Sequence, residues 1–290
     1  MLVVGEQGLG DELSFANLLP DVIEAVGPEG EITLSIEQRL VPLFQRSFPQ
    51  LKVSGHKTVR HGHRAIRAIP GVKDWKDVDR WAPIGSLLRE FRISASAFPE
   101  RPQGFLKADP ERVAYWRGVL HDLPPGPRVG LLWTSMLMNS SRRRAIPLFE
   151  EWEAVLKTPG VVLVNLQYGD CSQAIAKAEA EFGVKIHQPP GIDLKAELDD
   201  AAALSCAVDL VVGISNANLN LAAACGAPTW IIRTPGDWRR LGTDRYPWYS
   251  QARVFVPPAF NEWGPLLGEV AVELGRWAEG CVGTEARAAG

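Results

Sequence analysis

Short apolar runs rich in β-branched residues alternate along the chain with longer stretches whose apolar residues recur at helical spacing. The clearest unit is Asp209 to Trp230, D-L-V-V-G-I-S-N-A-N-L-N-L-A-A-A-C-G-A-P-T-W. Leu210, Val211, Val212 and Ile214 predict a strand buried on both faces. Ser215, Asn216, Ala217 and Asn218 follow as a tight polar turn. Leu219 to Ala224 is a strong helix former, stopped by Gly226 and Pro228. Thr229 to Ile232 begins the next strand. Such a turn joins the carboxyl end of a strand to the amino end of a helix. Backbone N–H groups and the helix dipole favour a phosphate there. A plain β–α connection has the same pattern, and every α/β sheet contains several.

The rhythm fills the second half. Strands are predicted at Arg128 to Trp133, Val161 to Leu166, Val184 to His187, Asp209 to Ile214 and Thr229 to Ile232. Helices fall between them at Leu148 to Leu156, Cys171 to Phe182, Leu194 to Ala207 and Leu219 to Cys225. This is the pattern of a doubly wound parallel sheet. The first half repeats it, with strands at Met1 to Val4, Glu31 to Ile36, Leu51 to Ser54 and Arg80 to Ile84. Its helices are expected at Leu13 to about Ala25, Glu37 to Ser47, Leu87 to Phe91 and from Asp109 to His121. Leu123-Pro124-Pro125-Gly126-Pro127 is the best boundary between them. The expected fold is therefore α/β: two Rossmann-like doubly wound domains, residues 1–123 and 128–266, facing a cleft. The amphipathic stretch Leu267 to Trp277 predicts a terminal helix, for which a return across the first domain is open, and residues 280–290 read as a disordered tail. The strand at the first residue leads to the expectation that the natural polypeptide continues upstream.

Composition narrows the function classes. Hydrophobic residues make up 46% and charged residues 22% of the 290, as in a water-soluble globular protein. The net charge of -3 gives no reason to expect nucleic acid or an anionic membrane. No apolar run approaches a membrane span. The four cysteines are scattered without a C-x-x-C pair, which fits reduced thiols in the cytoplasm.

Candidate chemistry gathers at the ends of strands. Gly5-Glu6-Gln7-Gly8-Leu9-Gly10-Asp11-Glu12 follows the first strand. Gly8 and Gly10 allow a tight turn, but Leu13 stands where a dinucleotide fingerprint needs its third glycine. Asp11 at the helix start is either a cap or a carboxylate at the cleft mouth suited to general base work. His56 to Arg67 is strongly basic and reads as a solvated loop or an acceptor- or partner-binding patch. Its H-G-H has no ligand-spaced Cys, Asp or Glu, so no metal is expected. In the second half, Ser135, the triple Arg142-Arg143-Arg144, the run Asn165-Leu166-Gln167-Tyr168-Gly169-Asp170 and the pair Asp199-Asp200 could reach the edge where Ser215 to Asn218 lie. Arginine suits phosphate and carboxylate suits ribose hydroxyls.

These motifs, in this order, resemble the bacterial glycosyltransferases related to the heptosyltransferase family, especially the transferase domains fused behind tetratricopeptide repeats. The resemblance rests on G-E-Q-G-L-G-D-E (Gly5 to Glu12), A-P-I-G-S-L (Ala82 to Leu87), F-L-K-A-D-P-E-R-V-A-Y-W (Phe105 to Trp116), V-G-L-L-W (Val129 to Trp133) and N-L-Q-Y-G-D (Asn165 to Asp170). It continues through D-A-A-A-L (Asp200 to Leu204), D-L-V-V (Asp209 to Val212), L-A-A-A-C-G-A-P-T-W (Leu221 to Trp230) and D-W-R-R with P-W-Y (Asp237 to Arg240, Pro247 to Tyr249). It implies the GT-B architecture, with acceptor in the first domain and nucleotide-sugar donor in the second, and no metal or cofactor. Asp11 matches the proposed catalytic base, and Asp200 the acidic residue on the donor ribose. Arg142, Arg143, Arg144, Gln167, Tyr168, Ser215, Asn216, Ala217, Asn218 and Asn220 fall on the donor side. Gln7, Gly8, Gly10, Ser86 and Trp238 fall on the acceptor side or in the cleft. The family's D-T-G-x-x-H run is altered here: Ser215 stands for the Asp, Asn216 for the Thr, Ala217 for the Gly and Asn220 for the His. Some repeat-fused members are similar to enzymes that glycosylate flagellin with a nonulosonic acid, so the expected acceptor is a glycan or a protein.

The leading expectation is thus transfer of a sugar from a nucleotide donor to an acceptor hydroxyl. A nucleotide-sugar-binding module without turnover is the alternative that the altered run favours. An NAD-dependent oxidoreductase is disfavoured by the missing glycine.

Overall fold

The computed structural model describes residues 1–62, 64–135 and 145–288. The described residues form two sheets with helices packed on them. The first contains β1 (Leu2–Val4), β2 (Thr33–Glu37), β3 (Lys52–His61), β4 (Arg64–Ala68) and β5 (Trp81–Pro83), in the order β4-β3-β2-β1-β5. All its pairings are parallel except β3 with β4. The second contains β6 (Arg128–Leu132), β7 (Val162–Asn165), β8 (Ile186–His187), β9 (Leu210–Ile214), β10 (Thr229–Ile232) and β11 (Arg253–Phe255), in the order β11-β10-β9-β6-β7-β8, all parallel. Val3, Leu34 and Ile36 in the first sheet and Val129, Leu131, Val211 and Val212 in the second are fully buried, as strands covered by helices on both faces require. This is the expected pair of doubly wound units.

In each sheet the strand order reverses once: between β1 and β5, and between β6 and β9. In open α/β sheets the crevice at such a reversal, beyond the carboxyl ends of the strands, is where ligands bind. The residues that follow β1 are 5–11, and those that follow β9 are 215–218.

Several elements differ from expectation. The basic stretch 56–67 is not a free loop. β3 pairs with β2 through His56, then with β4 from Lys57 to His61. Its charge hid a period-two alternation, in which Val59 faces Ile66. The first helix starts earlier, at Leu9, and ends at Phe15, before a short 3₁₀ turn and the helix Leu19–Val26. The terminal helix is longer than its apolar stripe suggested, Trp263–Ala288. It does not return to the first sheet: Trp263, Leu266, Leu267, Val270 and Leu274 enter the core of the second.

Helix Pro110–His121 precedes the proline-rich boundary, yet packs on helix Leu198–Ser205 of the second half. Asp200 is the pin. Its carboxylate accepts from Arg112 Nε at 2.7 Å, Arg112 Nη2 at 2.8 Å and Trp116 Nε1 at 2.9 Å. Burial opposes its ionisation, but the bonds from Arg112 and Trp116 outweigh that and hold the carboxyl below its ordinary range.

A second buried carboxylate braces the loop after β1. Glu12 is 1% exposed. Its Oε2 accepts from Glu37 N at 2.7 Å, and its Oε1 lies 3.3 Å from Arg67 Nη1 and 3.7 Å from His56 Nε2. Arg67 also donates to the carbonyls of Gly5 and Gln7. Gly5 is required here, because a Cβ would stand 2.7 Å from Glu12 Cδ. Burial pushes the Glu12 carboxyl up to about 7, against the lowering effects of the Glu37 N–H and Arg67. Burial likewise lowers His56, with Arg67 adding to the effect.

Two outcomes follow from these carboxylates. Glu12 keeps its proton in the folded state up to about pH 7 and loses it near 4.5 when unfolded. Its contribution is present in full below pH 4.5 and is lost as pH rises to about 7. Glu12→Gln removes that loss. Relative to wild type, the variant should gain about 3–3.5 kcal/mol between pH 4.5 and 8 in urea titrations, and a constant difference would contradict the protonated form. Asp200→Ala should cost about 1–3 kcal/mol of stability while nucleotide affinity holds. Lost affinity at unchanged stability would restore its ribose role.

Candidate functional site

The two strand-order reversals face each other. The first turn of helix Leu9–Phe15 packs on helix Ala217–Ala224. Gly10 faces that helix: a Cβ there would stand 3.4 Å from Asn220 Nδ2 and 3.7 Å from Ala217 Cα, at ordinary contact distance. Behind it lies a buried polar cluster. Ser14 Oγ is 3.2 Å from Asn220 Oδ1 and 3.0 Å from the Tyr249 hydroxyl, which donates to the same Oδ1 at 3.0 Å. Burial raises the Tyr249 hydroxyl above its ordinary range, so it stays protonated and able to donate.

Two cavities open beside this contact. One, ≈ 390 Å³, lies on the side of the second sheet. Gly8, Gly10, Asp11, Ser135, Tyr168, Ser215, Asn216, Ala217, Asn220, Arg233 and Arg239 are among the residues that line it. The other, ≈ 460 Å³, lies on the side of the first sheet and is lined by Glu6, Gln7, Asp11, Phe15, Gly85, Ser86, Trp238 and Arg239. Asp11 and Arg239 belong to both. They also pair with each other: Arg239 Nη2 donates to Asp11 Oδ1. Asp11 Oδ2 accepts from the N–H of Gly8, the residue that caps its helix, at 3.1 Å. Asp11 is therefore a cap and a cleft carboxylate at once.

On the second sheet, Asn216 caps helix Ala217–Ala224 by accepting from Leu219 N at 2.9 Å, and its amide donates to Thr134 O at 3.1 Å. The turns after β6 and β9 are tied together in this way. Gln167 supports the turn after β6: its Oε1 accepts from the N–H groups of Trp133 and Thr134. Arg233, after β10, is held by Asp237. A third cavity, ≈ 410 Å³, continues along the edge past β7 and is lined in part by Asn165, Gln167, Asp170, Gln188, Asp193 and Lys195. Asn218 borders it from inside, donating to Leu194 O at 3.0 Å.

Most of the expected site residues converge here. Gln7, Gly8, Gly10, Asp11 and Ser86 meet Tyr168, Ser215, Asn216, Ala217, Asn220 and Trp238 around one contact. Gln167 and Asn218 serve as supports. Arg142, Arg143 and Arg144 lie outside the described residues. Asp200 lies apart, turned to Arg112 and Trp116 in the helix interface; this placement gives its expected ribose role no support. Missed altogether were Arg239, Arg233 and the Ser14–Tyr249 contact. The signal for Arg239 was the D-W-R-R run, from which only Trp238 was taken. Among the described residues, no group of three or more His, Cys, Asp or Glu could hold a metal, and no helix is long and apolar enough to cross a membrane.

No protein-family model matches the chain. It is 52% identical over 274 residues to protein FlbA of Caulobacter vibrioides, an alignment that covers 94% of this chain and 46% of FlbA. The chain thus spans about half the length of that relative. Among solved structures it is similar to the ADP-heptose lipopolysaccharide heptosyltransferase II of E. coli, with TM-score 0.58 and 14% identity over 95% of this chain and 97% of that one. A glycosyl transferase family 9 protein from Veillonella parvula matches with TM-score 0.57 and 12% identity over 88% and 85%. E. coli heptosyltransferase WaaC, solved with ADP, matches with TM-score 0.51 and 14% identity over 96% and 99%. The two-sheet architecture of this chain is the fold of these transferases, the GT-B fold.

Proposed function

We propose that the protein is a glycosyltransferase that moves a sugar from a nucleotide-sugar donor to an acceptor hydroxyl. The observation that carries this reading is the position of Asp11. It stands where the two strand-order reversals face each other and lines both cavities. A donor on one side and an acceptor on the other would meet at its carboxylate.

The donor's phosphates are assigned to the turn Ser215 to Asn218, where the amino end of a helix supplies N–H groups and a positive dipole. The nucleoside is assigned to the adjoining cavity that Gln188 and Asp193 line, whose carboxylates and amides suit ribose and base. That replaces Asp200. The acceptor hydroxyl enters the cavity of Gln7, Ser86 and Trp238. Asp11 takes the hydroxyl proton as its oxygen attacks the anomeric carbon. The bond from that carbon to the phosphate oxygen breaks, and its electron pair leaves with the phosphate. The helix terminus and nearby arginines stabilise that charge. The scheme needs no bound metal.

The similar structures named for ADP-heptose and solved with ADP make ADP the first nucleotide to try. A hexose, a heptose or a nonulosonic acid is the donor sugar in this reading. A glycan or a protein such as flagellin is the acceptor; that part rests on the resemblance to repeat-fused transferases alone. The reaction is assigned to the cytoplasm, in keeping with cysteines scattered along the chain without a C-x-x-C pair.

Thermal-shift measurements with ADP, UDP, CMP, their sugars and NAD test the site. A nucleotide that binds the native state should raise the melting temperature; a rise with NAD alone would favour the oxidoreductase. Asp11→Asn tests the chemistry. Asn keeps one side-chain oxygen for the Gly8 N–H, so the fold should survive, and nucleotide should bind no more weakly than to wild type. Transfer should fall by about 100-fold or more. Intact transfer would remove Asp11 as the base, and nucleotide binding without any transfer by wild type would leave a binding module.

A further inference from the structure

Arg239 sits in the wall between the two cavities, and its only acidic partner across the domain contact is Asp11 among the described residues. It is carried on the 3₁₀ turn Trp238–Arg240, which Asp237 caps and which Trp248 Nε1 fixes through Arg239 O at 3.1 Å. The backbone under the guanidinium is therefore held. The side chain is 18% exposed. Its Nε is buried and, among the described residues, has no hydrogen-bond partner. A planar five-donor group that spends one N–H on a carboxylate keeps further Nη N–H groups for a second anion. The Ser215 turn lines the same cavity.

We propose that Arg239 is a ligand of the donor's phosphate, and that its ion pair with Asp11 is the resting state of the site. This rests on the donor–acceptor reading above. When the phosphate enters, Arg239 exchanges a carboxylate for a phosphate, a partner its fork matches bidentately. Asp11 Oδ1 then turns free toward the acceptor side. Donor binding and base availability become one event: before the donor arrives, the carboxylate is occupied; after it, the carboxylate can take a proton. An acceptor entering first meets Asp11 in its pair with Arg239.

Calorimetric titration of inorganic pyrophosphate and of ADP tests the exchange, using wild type, Asp11→Asn, Arg239→Gln and the double variant. Arg239→Gln should weaken both anions by about tenfold to a hundredfold. The loss should be larger by about threefold to tenfold in the Asp11→Asn background, because the wild-type site must first break the pair and the variant need not. Arg239→Lys keeps the charge but not the fork, so it should recover part of the affinity. It serves as the folded control if the glutamine variant has a lowered melting temperature. Equal losses in the two backgrounds, no loss at all, or full recovery with lysine would overturn the proposal. Transfer does not enter this measurement, so failure of Asp11 as a base leaves it standing. Absence of either anion from wild-type protein would overturn the donor site and this inference together.

Discussion

The site depends on one close contact, that between the first turn of helix Leu9–Phe15 and helix Ala217–Ala224. Gly10 lies at its closest point, and the buried Ser14–Asn220–Tyr249 cluster sets the register. Each neutral hydrogen bond contributes only about 1 kcal/mol, but a buried donor or acceptor left without a partner costs about 1–3 kcal/mol. The two halves therefore meet in one arrangement. That arrangement puts two strand-order reversals mouth to mouth and leaves a cavity on either side.

Charge is distributed around this contact by burial. Glu12, adjacent to Asp11 in sequence, is desolvated and holds its proton near neutrality. It braces the turn from below, with Arg67 tying down Gly5 and Gln7. Asp11 faces the cavities instead. Two neighbouring carboxyl groups thus have separate roles because one is inside the fold and the other at its mouth. The cost of burying Glu12 fixes the loop that presents Asp11.

The fold was legible because its signals are local. Apolar β-branched strands, helical periodicity and a proline-rich boundary each announce themselves within a few residues. The β3–β4 hairpin escaped because the charges of Lys57 to Arg67 masked its alternation, and strand pairing is not local. The site was legible where it lies on turns, at Gly8 to Asp11 and Ser215 to Asn220. It was open to two readings where a residue type suited two partners. A carboxylate at position 200 fits a ribose, but only the packing of helix Pro110–His121 reveals that Arg112 and Trp116 take it. Arg239 lay within the D-W-R-R run, but nothing local showed its role, since its partner is 228 residues away.

The central claim is that a nucleotide lies across the second sheet's reversal, with its phosphates at the Ser215 to Asn218 turn that Asp11 faces. A crystal structure of the protein with ADP tests it most directly. The account predicts phosphate density at the Ser215 to Asn218 turn, within hydrogen-bond reach of Arg239, and the base in the cavity beside Gln188 and Asp193. A nucleotide seated on the glycine turn of the first sheet, with the second sheet's turn empty, would contradict it.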